Sequence, residues 1–323
     1  MRARFTLRSC SSERQRAEGG HMTESRKAMI KGIIPPVITP MHADETVNEE
    51  ELKHQVNRLI EAGVHGIFAF GTNGEGYILS AGEKERILEI VIGETAGRVP
   101  VYAGTGCVST RETIEMSQMA ERLGADVLSV ITPWFAKASQ QELAEHYRAV
   151  AAEVSLPVVL YNIPARTGNA LSPETVGQLA EIPNIVGVKD SSGNFDNMLQ
   201  YIEATREMDF AVLSGNDSLI LWNLLAGGTG GVAGCANVFP RNMVGIYENF
   251  KKGDLAAARI CQDNIREFRN CFVHGNPNTI VKKAVAMQGF AVGECRKPFS
   301  GLSETGVKAL RETLDDYREK GIC

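Results

Sequence analysis

Residues 157–193 read PVVLYNIPARTGNALSPETVGQLAEIPNIVGVKDSSG, and their pattern decides the fold. PVVLYN (157–162) and IVGVK (185–189) are unbroken apolar runs rather than alternating ones, as strands buried on both faces are. Between them Ser172 stands as a helix N-cap, Pro173 takes the first helical position, and apolar residues follow at helical spacing. No Asn-Gly hairpin joins the two runs. The segment therefore reads as strand, crossover helix and parallel strand.

The same unit recurs in both directions. Further strands are expected at KGIIPPVIT (31–39), HGIFAFG (65–71), PVYAG (100–104), DVLSVIT (126–132), FAVLS (210–214) and GGVAGC (230–235), which makes eight in all. Ser80 with Glu83, Ser109 with Glu112 and Ser139 with Glu142 have the spacing of capping boxes, and Gly63, Gly97 and Gly124 end helical runs. Eight such units in series predict an α/β fold, a (β/α)8 TIM barrel over 29–254, with a doubly wound open sheet as the alternative. Helices are expected near 240–252, 255–272, 278–290 and 304–320. The last three exceed what the barrel needs and form a C-terminal helical extension, 255–323. Residues 1–28 read as a tag-like or disordered segment, in which Gly20-His21-Met22 looks like a cloning junction ahead of a start at Met22.

Composition narrows the function. With 43% hydrophobic and 23% charged residues in 323, the chain is neither disordered nor fibrous. A net charge of −5 offers nothing to nucleic acid, and no apolar run approaches the ~18 residues of a membrane span. The seven cysteines are odd in number and widely spaced without CxxC, which fits a reducing cytoplasm. The six histidines form no HExxH or similar pair, so neither a metal nor a cofactor is expected.

Active sites of such barrels lie at the C-terminal ends of the strands. Lys189 ends an apolar run, where burial would lower its pKa and leave a neutral amine able to attack a carbonyl; the bland alternative is a strand-end lysine that snorkels to water or pairs with Asp190. Tyr161 ends the preceding strand, within range to shuttle protons for that amine, or else is an ordinary rim tyrosine. Gly71-Thr72-Asn73-Gly74 offers successive backbone N–H groups to a carboxylate or phosphate. Arg166 suits a second carboxylate, or a surface ion pair. The Gly227–Gly231 run is ambiguous between binding phosphate and letting backbone approach a ligand. Trp134 and Phe135 are candidates for an interface, or for burial under the chain's own tail helices.

These stretches carry a resemblance. GTNGEGYILS (71–80), YNIPARTG (161–168), GVKDSSG (187–193), SGND (214–217), GGVAGCAN (230–237) and ECRKPF (294–299) resemble the dihydrodipicolinate synthase/N-acetylneuraminate lyase family, from Lys31 to Gly321. The resemblance implies a homotetrameric lyase in which Lys189 forms a Schiff base with pyruvate or another 2-oxo acid. It implies Tyr161 as proton shuttle with the Thr72 hydroxyl as a catalytic partner that steers its phenol, Thr72 and Asn73 as holders of the pyruvyl carboxylate, and Val232 as a pocket residue through its backbone carbonyl. Arg166 matches the arginine that the lysine-pathway synthases keep for the carboxylate of aspartate semialdehyde.

Two positions depart from those synthases. Asn73 stands where they have a second threonine, and Phe135 where they have a tyrosine of a hydroxyl relay reaching a neighbouring subunit. Asn73, together with Gly106, Cys107, Ser109, Thr110 and Lys189-Asp190-Ser191, looks more like the 4-hydroxy-2-oxoglutarate aldolases, which lack the arginine. The expected function is a carbon–carbon or carbon–oxygen lyase that joins pyruvate to an aldehyde or cleaves a 2-oxo-4-hydroxy acid. Pyruvate with aspartate semialdehyde is the first choice, and a hydroxy-oxoglutarate or keto-deoxy sugar-acid aldolase or dehydratase the alternative. A binding paralogue without catalysis, and a metal-dependent barrel aldolase, are the other classes.

Overall fold

The structure is a computed structural model that describes residues 29–299 and 301–322. The expectation for residues 1–28 lies outside the described residues, as do Cys10 and Cys323. Eight parallel strands follow one another around a barrel: β1 (Gly32–Ile34), β2 (Ile67–Ala69), β3 (Val101–Gly104), β4 (Val127–Ile131), β5 (Val158–Asn162), β6 (Ile185–Asp190), β7 (Ala211–Ser214) and β8 (Gly230–Val232). β8 pairs with β1, and each strand from β2 onward pairs with the next. The seam between β1 and β2 is thin. It is held by a bridge between Pro36 and Phe68, with His65 N donating to Ile33 O at 2.8 Å and Phe68 N to Pro35 O at 3.0 Å. Pro35 and Pro36 lack the N–H a ladder requires, which is why the strand expected over 31–39 stops at Ile34. The strand expected over 230–235 stops at Val232, where Gly234–Asn237 winds into a 3₁₀ turn.

Helices start where the caps are. Ser80 and Ser139 form complete capping boxes with Glu83 and Glu142, whereas Ser109 accepts from Glu112 N without a return bond to its own N–H. Ser172 caps Pro173–Ala180 with proline at its first position. The outward side chains of the strands, among them Leu128, Val130, Leu160 and Val188, pack on these helices, while Phe68, Tyr102, Val127, Val159, Val186 and Val232 fill the barrel.

One irregularity places the lysine. Val186 and Lys189 are an odd number of residues apart, so an unbroken strand would turn them to opposite faces. In β6 the register slips: Val158 pairs with Ile185 but Val159 with Gly187. The extra residue resets the alternation, and both Val186 and Lys189 turn inward. Gly187 makes this feasible, since an added Cβ would lie 2.8 Å from Ala211 O.

Beyond Pro240–Lys252 the chain forms helices Leu255–Asp263, Arg266–Asn270, Pro277–Met287 and Glu304–Glu319. The single helix expected over 255–272 is broken after Asp263, where the Asn264 amide turns to Asn242 Oδ1 at 2.9 Å. Phe239 meets Phe268 edge-to-face and Tyr317 at a tilt, with ring centroids 5.1 and 5.0 Å away, and these contacts join the helices to the barrel. Among the described residues no helix is long and apolar enough to cross a membrane.

Candidate active site

Tyr161 on β5 and Lys189 on β6 are direct register partners at the C-terminal end of the barrel. The Lys189 Nζ lies 3.6 Å from the centroid of the Tyr161 ring and 5.1 Å from that of Phe68, in surroundings that leave the residue 4% exposed. Asp190 does not pair with it. The Asp190 carboxylate is taken by Asn162 Nδ2 at 2.8 Å and Ser192 Oγ at 2.7 Å, on the opposite face of the strand. Neither snorkelling nor the Asp190 pair describes this lysine.

Burial pushes the Lys189 ammonium below the usual lysine value, against an upward pull from Tyr161 and Asp217. Burial pushes the Tyr161 phenol up, but the Lys189 charge and hydrogen bonds with Thr72, Lys189 and Ser191 outweigh it and draw the phenol down. Both groups thus release a proton more readily than free lysine and tyrosine.

Thr72 opens the 3₁₀ turn Thr72–Gly74 that follows β2, and its Oγ1 shares a hydrogen bond of 2.9 Å with the Tyr161 hydroxyl. Gly74 is needed there because an added Cβ would fall 2.7 Å from Val37 O. Asn73 lies against Gly234, whose added Cβ would come 3.2 Å from Asn73 Oδ1. Arg166, on the short helix Pro164–Thr167, donates from Nη2 to Asn276 Oδ1 at 3.4 Å. Val232 ends β8 on the inner face.

The cavity at this end has two lobes. The smaller, about 190 Å³, is polar and includes Lys189, Asn73, Ser191, Asn216 and Val232 in its lining. The larger, about 310 Å³, has aromatic walls that include Phe68, Phe70, Tyr77, Trp134 and Phe299. Thr72, Tyr161 and Arg166 border both lobes. The six residues singled out in the sequence thus gather at one cavity. Trp134 lines its larger lobe, whereas Phe135 is 97% exposed at φ +79°, so the tail helices do not cover it. The Gly227–Gly231 run precedes and enters β8 at the end of the barrel away from the mouth. There Gly230 lies against the β1 backbone, so close that an added Cβ would meet Gly32 O at 2.1 Å. It is a packing device and not a phosphate cradle.

Sequence reading missed the support behind this site. Glu75 is fully buried, paired with Lys282 Nζ at 2.8 Å and accepting from Arg296 N at 2.8 Å. Asn278 Nδ2 donates to Thr72 O at 2.7 Å. Asp217, buried near Lys189, pairs with Arg269 at 3.3 Å. Asn276 and Pro277 do show a cap signal, but nothing in a cap says which loop the helix will meet.

Fold and cavity define a (β/α)8-barrel protein with a lysine–tyrosine pair at its mouth. The sequence model of the Dihydrodipicolinate synthetase family matches residues 29–317, and the chain belongs to that family of lyases. It is 44% identical over 288 residues to a protein of Methanopyrus kandleri named 4-hydroxy-tetrahydrodipicolinate synthase, covering 88% of this chain and 95% of the relative. A Methanospirillum hungatei protein of the same name is 39% identical over 292 residues, 90% of this chain and 100% of its own. Among solved structures, the dihydrodipicolinate synthase from Acinetobacter baumannii complexed with pyruvate superposes with a TM-score of 0.86 at 36% identity, covering 91% of this chain and 100% of that one.

Proposed function

We propose that this enzyme forms a Schiff base with pyruvate at Lys189 and joins it to an aldehyde, with aspartate semialdehyde as the first candidate, or runs the reverse cleavage. The observation that carries the reading is the buried Lys189 amine against Tyr161, itself hydrogen-bonded to Thr72, where the two lobes meet. The 2-oxo acid occupies the polar lobe, its carboxylate on the backbone N–H groups and side chains of Thr72 and Asn73. The neutral amine attacks C2, and the carbonyl oxygen leaves as water with protons delivered by Tyr161. The Tyr161 phenolate takes a C3 proton to give the enamine, which adds to the aldehyde carbon in the larger lobe while Tyr161 returns that proton to the aldehyde oxygen. Water then releases the product and restores the amine. Val232 closes the polar lobe, and Arg166 faces the distal carboxylate of the aldehyde.

Asn73 and Phe135 support a second reading, a 4-hydroxy-2-oxoglutarate or related sugar-acid aldolase built on the same imine. On either reading the protein is a cytoplasmic homotetramer that needs no cofactor. The exposed Phe135 ring, held at a positive φ that costs a non-glycine residue about 1–3 kcal/mol, supports assembly.

The test is borohydride reduction in the presence of pyruvate, followed by peptide mass spectrometry. A lactyl-sized adduct on Lys189 is expected, and an adduct on another lysine, or none, would sink the assignment. Pyruvate consumption with aspartate semialdehyde, set against pyruvate release from 4-hydroxy-2-oxoglutarate, then separates the two readings. Tyr161→Phe should keep slow trapping but lower turnover ~10²–10⁴-fold, the usual worth of a positioned proton carrier. The acid limb of the trapping rate should lie below pH 10.5, because the lowered Lys189 pKa frees the amine earlier. In Tyr161→Phe that limb should move lower still, since the tyrosine pulls the lysine upward. A limb at or above 10.5 in the wild type would contradict the buried-amine account.

A further inference from the structure

Tyr77 has no role in the chemistry above, yet it lines the larger lobe together with Tyr161 and Arg166. Its ring stands edge-on to Phe299 at 5.4 Å, and the residue is 42% exposed. Its hydroxyl accepts from Asn278 Nδ2 at 3.3 Å, and the other proton of that amide goes to Thr72 O at 2.7 Å. An amide nitrogen only donates, so the phenol oxygen is the acceptor in this contact and its own proton remains to be given elsewhere. Burial raises the Tyr77 phenol and the buried Glu75 adds to the rise, against the Asn278 hydrogen bond and a weaker pull from Arg166, so the phenol keeps its proton. Arg166 is itself held by Asn276, so one Asn-Pro-Asn segment, 276–278, steadies both groups. Asn276 Oδ1 is engaged with Arg166 and with Asn278 N. What this corner of the lobe offers a ligand is therefore donors: a guanidinium and a phenol O–H. Donors without acceptors select a group rich in lone pairs and negative charge.

We propose that Tyr77 is a substrate-binding residue whose phenol donates a hydrogen bond to the carboxylate at the far end of the acceptor, alongside Arg166, with Asn278 as its positioning residue. The acceptor class is then an aldehyde that itself bears a carboxylate, and neutral sugar aldehydes are poor substrates. This inference rests on the assignment of the two lobes made under Proposed function.

The probes are 2-oxoadipate and 2-oxohexanoate, 2-oxo acids of equal chain length that differ in the distal carboxylate. Calorimetric titration of the full-length wild type should show tighter binding of 2-oxoadipate. Tyr77→Phe, which keeps the ring and its contact with Phe299, should weaken 2-oxoadipate about ten- to a hundredfold, the range for a hydrogen bond to a charged group, and leave 2-oxohexanoate unchanged. Asn278→Ala should lower the same preference, a ratio that general loosening of the loop would not move. Equal weakening of both ligands by Tyr77→Phe, or of neither, overturns the proposal. Borohydride trapping of pyruvate is run on the same wild type and Tyr77→Phe samples. Absence of a Lys189 adduct in the wild type defeats the imine reading, while the calorimetric ratio still decides the carboxylate site.

Discussion

Lys189→Met is expected to yield no borohydride-trapped adduct with pyruvate and no measurable turnover, while the protein folds as well as the wild type. Among the described residues Lys189 is the single lysine lining either lobe, so none of them places a second amine to take over. The substitution removes the nucleophile but retains an unbranched chain that fits between the Tyr161 and Phe68 rings. It also relieves the cost of burying an ammonium, so the melting temperature should hold or rise. Loss of activity accompanied by a collapse in stability would mean that Lys189 serves the fold instead of the reaction. Retained turnover would end the imine mechanism.

The second large effect lies behind the site. Lys282→Met strands the Glu75 carboxylate, which is fully buried and joins the turn after β2 to helix Pro277–Met287. Removing one partner of a buried pair costs about 3–5 kcal/mol, because the remaining charge has neither water nor counter-ion. At roughly 2–4 °C per kcal/mol for a chain of this size, the melting temperature should fall on the order of 10 °C. The companion variant Glu75→Gln with Lys282→Met removes both charges and should recover much of the loss. Thermal melts of the two variants decide the matter. If the double variant melts no higher than the single one, packing and not the stranded charge accounts for the effect.

Both experiments probe residues that differ in how visible they are in the sequence. Lys189 stands out because an apolar run ends in it, and Tyr161 because its run has the same form one unit earlier. The β1 seam went unread: Pro35-Pro36 stood inside the strand expected over 31–39, although neither proline has the N–H a ladder requires. The Glu75–Lys282 pair spans 207 positions, and neither residue carries a local signal of the other. The same holds for Asn278, which meets Thr72 across 206 positions.

By itself the sequence determined the repeating strand–helix unit, the eightfold count, most helix starts and the strand ends at which chemistry belongs. These follow from periodicity, capping and turn residues, all of which act within a few residues of one another. Only the tertiary structure decided that β6 slips by one residue and turns Lys189 inward, that the cavity splits into a polar and an aromatic lobe, and that the Asn276–Asn278 segment backs Thr72 and steadies Arg166 and Tyr77. Barrel closure and the docking of the C-terminal helices bring these distant residues together, and pairings across some two hundred positions leave no periodic mark in the chain.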